Sequence, residues 1–75
     1  MSQDLADFAA AQLRAEMARR QISASGLATR IGVEETWVRR RMRRQREITM
    51  ADLERIAAAL DLPPSFFVAA ERVAA

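Results

Sequence analysis

Residues that interrupt a helix occur at only three places in this chain: Gly26, Gly32 and the pair Pro63–Pro64. Glycine weakens a helix or ends it in left-handed backbone, and proline lacks the amide hydrogen that a helix interior needs. Everything between these points is free to be helical. No sustained apolar–polar alternation and few β-branched residues compete for strand. The expectation is an all-α fold with short connections, a single domain over residues 1–75. A domain of this length buries about 60% of its unfolded surface at best. The chain has no cysteine, so no disulfide can compensate for a small core, and it has no histidine. The usual zinc ligands and the commonest general base are therefore missing together, and no metal or cofactor is expected. A composition of 51% hydrophobic and 29% charged residues is that of a folded globular chain.

Periodicity predicts five helices. The first runs from about Asp4 to Arg20, with Leu5, Phe8, Ala9, Leu13 and Met17 near a 3.6-residue repeat as its inner face. Acidic Asp4 and Asp7 at its start and Arg19 and Arg20 at its end suit the helix dipole. Ser23 is a good N-cap for a second, short helix with Leu27, Ala28 and Ile31 inward, and Gly32 ends it. A third helix begins near Glu34 and runs to about Arg44. Val38, Met42 and part of Trp37 face inward, while Thr36, Arg39, Arg40 and Arg43 recur at i, i+3, i+4 and i+7 on the opposite face. Thr49 with Asp52 three residues on is a variant capping box that opens a fourth helix, whose stripe is Leu53, Ile56, Ala57 and Leu60. Asp61 is a tolerable left-handed stop. Pro63–Pro64 then open a last helix, from about 65 to 75.

Charge is concentrated on the third helix. The net charge is only +2, yet residues 30–46 hold seven arginines against Glu34 and Glu35, a net of +5, and the remainder carries −3. Such polarity orients a molecule toward a polyanion. All 12 basic residues are arginine, as a GC-rich genome would supply; that bias explains their type and not their clustering.

The stretch ISASGLATRIGVEETWVRRRM, residues 22–42, resembles the lambda repressor/Cro-type helix-turn-helix proteins of phage and bacteria. Leu27–Ala28 is similar to the family's apolar–alanine pair, Gly32–Val33 to its turn, and Val38 to the apolar anchor of its second helix. ADLERIAAALDLPPSFF is similar to the following helix and the start of the last one. The resemblance covers about residues 13–67, with the motif itself at about 23–44. It implies a five-helix lambda-repressor-like domain whose third helix is the recognition helix. There are departures. Ala24 stands where the family often has a glutamine that braces against phosphate, and Arg44 where many relatives have glycine. Gly26 within a short helix costs about 1 kcal/mol relative to alanine.

By this resemblance Thr36, Arg39 and Arg40 match positions that reach base edges, where an arginine fork can bind guanine O6 and N7. The competing reading makes them phosphate clamps or solvated charges. Glu35 is a further base-contact candidate: it and Glu34 would repel phosphate, but a carboxylate can accept from the cytosine amino group. Arg43, Arg44, Arg46 and Arg30 are candidates for phosphate, with a plain surface role open for Arg30. Arg41 points toward the core edge, toward a salt bridge with Glu35 or an acid of another helix. Trp37 reads as a partly buried packing residue rather than a wedge on nucleic acid. Ser23 and Thr49 read as caps. One of Phe66 and Phe67 completes the core; the other, Phe66, with Val68 and Val73, is a candidate surface for a second subunit.

The function that follows is a sequence-specific DNA-binding transcriptional regulator, a repressor, acting as a homodimer on a palindromic double-stranded operator. No small-molecule ligand is expected. The alternative is a protein-interaction module of antitoxin or inhibitor type that uses the arginine face on an acidic partner; RNA is a third option. An enzyme is not expected, because histidine, cysteine, lysine and tyrosine are all absent and the carboxylates are scattered. Nothing resembles a signal peptide and no apolar stretch approaches ~20 residues, so a cytoplasmic location and no membrane contact are expected.

Overall fold

The computed structural model describes residues 3–68. Four α-helices follow one another, α1 (Gln3–Arg20), α2 (Ala24–Ile31), α3 (Glu35–Met42) and α4 (Met50–Ala59), and a 3-10 turn spans Pro64–Phe67. No strand occurs among the described residues. The all-α expectation matches, whereas five helices do not: the described residues hold four and the short turn. The expected last helix, 65–75, begins as that turn, and residues 69–75 lie outside the described part. Pro63 and Pro64 stand at the N-cap and first position of the turn, where no amide hydrogen is needed. The turn closes through Phe66 N–H to Pro63 O at 3.0 Å and Val68 N–H to Ser65 O at 3.2 Å.

All four α-helices end by one device, a residue in left-handed conformation that lets the next amide reach back over the last turn. These residues are Gln21 (φ 57°), Gly32 (φ 87°), Arg44 (φ 59°) and Asp61 (φ 59°). The returning bonds run from Ile22 N–H to Met17 O (2.9 Å), Val33 to Ala28 (3.0 Å), Gln45 to Arg40 (2.8 Å) and Leu62 to Ala57 (2.9 Å). Consequently α3 stops at Met42, two residues before the expected Arg44, which forms the turn itself. The starts follow side-chain chemistry. Ser23 Oγ accepts from Gly26 N–H at 3.0 Å. Thr49 and Asp52 exchange both bonds of a capping box, at 3.0 and 3.1 Å.

The core gathers Leu13 and Met17 of α1, Leu27 and Ala28 of α2, Val38 of α3, the α4 stripe Leu53, Ile56, Ala57 and Leu60, and Phe67. Ile48, between α3 and α4, joins them at 1% exposure. Each of the larger of these side chains, the leucines, isoleucines, Met17, Val38 and Phe67, contributes roughly 1.5–3 kcal/mol by leaving water. The inner face of α1 differs from the expected one. Ala9, Leu13 and Met17 are buried as expected, but Ala6 and Ala10 join them, while Leu5 is 37% exposed and Phe8 only half-buried. Ile31, expected inward on α2, is also half-buried. Phe67 is fully enclosed, and half-buried Phe66 meets it edge-on at 5.2 Å between centroids. Glu16 is also enclosed, at 3% exposure, with both carboxylate oxygens held by Arg19 and Arg20 one turn further along α1.

Candidate nucleic-acid interface

The site is made by how α3 is seated. Leu27 and Ala28 of α2 are buried in the same core cluster as Val38 of α3. Gly32 makes the turn between α2 and α3, with its amide donating to Ala28 O at 2.8 Å. A Cβ at Gly32 would touch nothing within 4 Å, so its left-handed backbone and not space is what calls for glycine. Val38 is the one buried residue of α3, with Trp37 and Met42 half-buried beside it. Anchoring that edge rotates Thr36, Arg39, Arg40 and Arg43 outward, and all four are exposed.

Three neighbours then fix the helix from behind. Arg41 turns inward, its Nε donating to Asp52 Oδ2 of α4 at 2.9 Å and its Nη1 to Trp37 O at 3.1 Å. Its guanidinium also lies over the Trp37 ring, 3.9 Å from the centroid, with Arg55 at 5.5 Å. From α1, Arg14 Nη1 donates to Met42 O at 2.7 Å, satisfying a carbonyl that the end of α3 leaves open. Also from α1, Asp7 accepts from Arg44 Nε at 2.8 Å, just beyond that end. Asp52 is the joint of the arrangement. Burial works to raise its pKa, but the Thr49 amide and the Arg41 guanidinium outweigh that and hold it below the ordinary value. Glu16 follows the same balance: burial raises it, and the hydrogen bonds and charges of Arg20 and Arg19 bring it below the ordinary value.

The arginines thus fall into distinct groups. Arg41 is the inward salt bridge expected from the sequence, to an acid of another helix. Arg39 keeps an ion pair with Glu35 on the exposed face. Arg44, expected at phosphate, is partly buried and engaged with Asp7. Arg30, Arg40, Arg43 and Arg46 are exposed and form no ion pair among the described residues. Arg40 and Arg46 share with Glu34, Thr36, Trp37 and Arg41 a cleft of about 200 Å³ beside α3. Trp37 forms one wall of that cleft as well as packing on the core. Of the expected dimer residues, Phe66 and Val68 are half-buried against the core, and Val73 lies outside the described residues.

Sequence reasoning missed the α1 contacts of Arg14 and Asp7, the buried Glu16 and the core role of Ile48. Ile48 had a signal: it is the lone apolar residue between Met42 and Met50. Arg14 and Asp7 had none, since nothing local says which surface of α1 meets the end of α3.

The family described as helix-turn-helix domain matches residues 9–65, more than half of the chain. The chain belongs to the helix-turn-helix domain family. No curated protein and no solved structure matches it. The matched span takes in α2, the Gly32 turn and α3, the two helices and tight turn described above. The protein is therefore a helix-turn-helix DNA-binding protein, of a family that is typically non-enzymatic. No helix among the described residues is long and apolar enough to cross a membrane.

Proposed function

We propose that this helix-turn-helix protein is a sequence-specific transcriptional regulator of lambda repressor/Cro type, a cytoplasmic repressor that inserts α3 into the major groove as a homodimer. One observation carries the reading: the only buried residue of α3 is Val38, and the face opposite it presents Thr36, Arg39, Arg40 and Arg43 to solvent on a helix braced by α1 and α4. Rigid seating matters because base readout needs donors placed in advance along the groove. Thr36, Arg39 and Arg40 are the base-edge residues, and Glu35 stands on the same face paired with Arg39. Arg43, Arg46 and Arg30 hold phosphates, and Arg44 does so by exchanging Asp7 for the backbone. The described residues span 34 × 23 × 19 Å with a single outward recognition helix, so two half-sites ~34 Å apart require two copies. The half-buried Phe66 and Val68 edge is the surface for the second one.

Selection of sites from a random duplex library at two salt concentrations tests this. An enriched palindrome with half-sites one turn apart is expected, with affinity falling steeply as salt rises. Retention without a consensus points to a nonspecific binder. No retention at low salt excludes the DNA reading and leaves an acidic protein partner on the same face. In that assay Arg40→Ala is expected to weaken binding by ~1–3 kcal/mol and relax preference at one base pair. A selected consensus unchanged in that variant removes Arg40 from the readout.

A further inference from the structure

The outward arginines of α3 are not equivalent. Arg40 and Arg43 have no ion-pair partner among the described residues, whereas Arg39 is paired, through Nε alone, with Glu35 one turn earlier. Nε lies on the stem side of the guanidinium. Its use by Glu35 leaves both terminal nitrogens, Nη1 and Nη2, without a protein partner among the described residues, a two-donor fork open to a ligand. Such a fork matches guanine O6 and N7 and no other base edge in the major groove. The pair is exposed on both sides, with side chains 47% and 41% accessible, so it adds little to the stability of the free protein. Its setting changes against DNA. There water is displaced, and a carboxylate that fixes the arginine torsions removes an ordering cost that a free arginine must meet on binding.

We infer that Glu35 is a specificity-determining positioning residue: it holds Arg39 in an end-on geometry that reads one guanine in each half-site, and Arg40 and Arg43 lack that restriction. The inference rests on the regulator reading above and deepens it by naming the base and the residue that enforces it. It also gives Glu35 a role compatible with its charge. A carboxylate in the groove repels phosphate, which lowers affinity for every sequence alike, while the fixed fork raises affinity for one.

The test compares base preferences of the full chain with those of Arg39→Ala, Glu35→Ala and Glu35→Gln, by selection from the random duplex library and by titration of single-base variants of the selected site. All three substitutions lie on the exposed face, and helical circular dichroism verifies that each variant is folded. Arg39→Ala is expected to abolish guanine preference at one base pair. Glu35→Ala is expected to lower preference at that same base pair about tenfold while binding to unrelated duplex tightens, and Glu35→Gln to fall between. When Glu35→Ala is added to Arg39→Ala, it has no further effect on preference at that position. Three outcomes overturn the inference: Glu35→Ala tightens binding with guanine preference intact; it loses preference at a different base pair, making Glu35 a direct reader of cytosine; or Arg39→Ala loses no guanine. If the unmodified chain enriches no consensus at all, the regulator reading itself has failed, an outcome separate from these three.

Discussion

Two residues in the same left-handed backbone region flank α3, glycine at position 32 before it and arginine at position 44 after it. A side chain in that region costs roughly 1–2 kcal/mol, because Cβ meets the following carbonyl oxygen. Gly32 avoids this cost. Gly32→Ala is expected to destabilise the fold by about 1 kcal/mol although the new methyl meets nothing within 4 Å, a purely backbone effect read from urea unfolding. Arg44 bears the cost and offsets part of it with its Asp7 ion pair. Because alanine keeps the strain and loses the pair, Arg44→Gly is expected to be more stable than Arg44→Ala by about 1 kcal/mol. Equal stability of the two would mean that the turn after α3 rearranges on substitution. The sequence signalled Gly32 and Asp61 as helix stops by residue type. Gln21 and Arg44 carry no such type, and their conformation is imposed by Ile22 and Gln45 closing hydrogen bonds over the last turn.

Between elements, the connection that holds α3 to α4 runs through one carboxylate. Asp52 completes the capping box with Thr49 and also receives Arg41, both partners of that ion pair being nearly buried at 13% and 12% exposure. Thr49→Ala removes a cap alone, with an expected loss of about 1 kcal/mol. Asp52→Ala removes the cap and leaves the Arg41 guanidinium without its carboxylate, with an expected loss of about 2 kcal/mol or more. Near-equal losses in chemical unfolding would show that Arg41 is satisfied by Trp37 alone. The caps of α2 and α4 were legible because Ser and Thr sit just before apolar periodic runs. The partner of Arg41 was legible only as an acid on another helix, because sequence separation does not say which helix lies opposite.

Across the whole molecule, charge has two separable consequences. In the proposed complex, Arg30, Arg43 and Arg46, exposed and without an ion pair among the described residues, predict that log affinity falls linearly with log salt. Arg43→Ala is expected to reduce that slope by about 1 per protomer while leaving base preference unchanged. Within the fold, Glu16 and Asp52 are buried carboxylates held below their ordinary pKa. The folded state then binds protons more weakly than the unfolded chain. Their stabilisation is complete above the ordinary carboxylate range of about 4 and is lost as pH falls through the lowered folded values. Urea midpoints at pH 7, 4 and 3 are expected to decline from pH 4 downward, with a shallower decline in Asp52→Asn. An unaltered decline would assign the acid sensitivity to Glu16.

The residues alone determined the all-α class, the first four helices, the capping box, the Gly32 turn and the outward arginine face. Each is a local matter of backbone torsion, hydrogen-bonding side chains or 3.6-residue periodicity, and the information lies within a few residues of the feature. Tertiary structure decided which alanines of α1 replace Leu5 in the core, where α3 stops, and that Arg14 and Asp7 grip its end. It also sorted six neighbouring arginines into a buried strut, a paired fork, a clamped turn and free cations. An arginine's role is set by which carboxylate lies within about 3 Å of it, and between helices that distance exists only once the chain has packed.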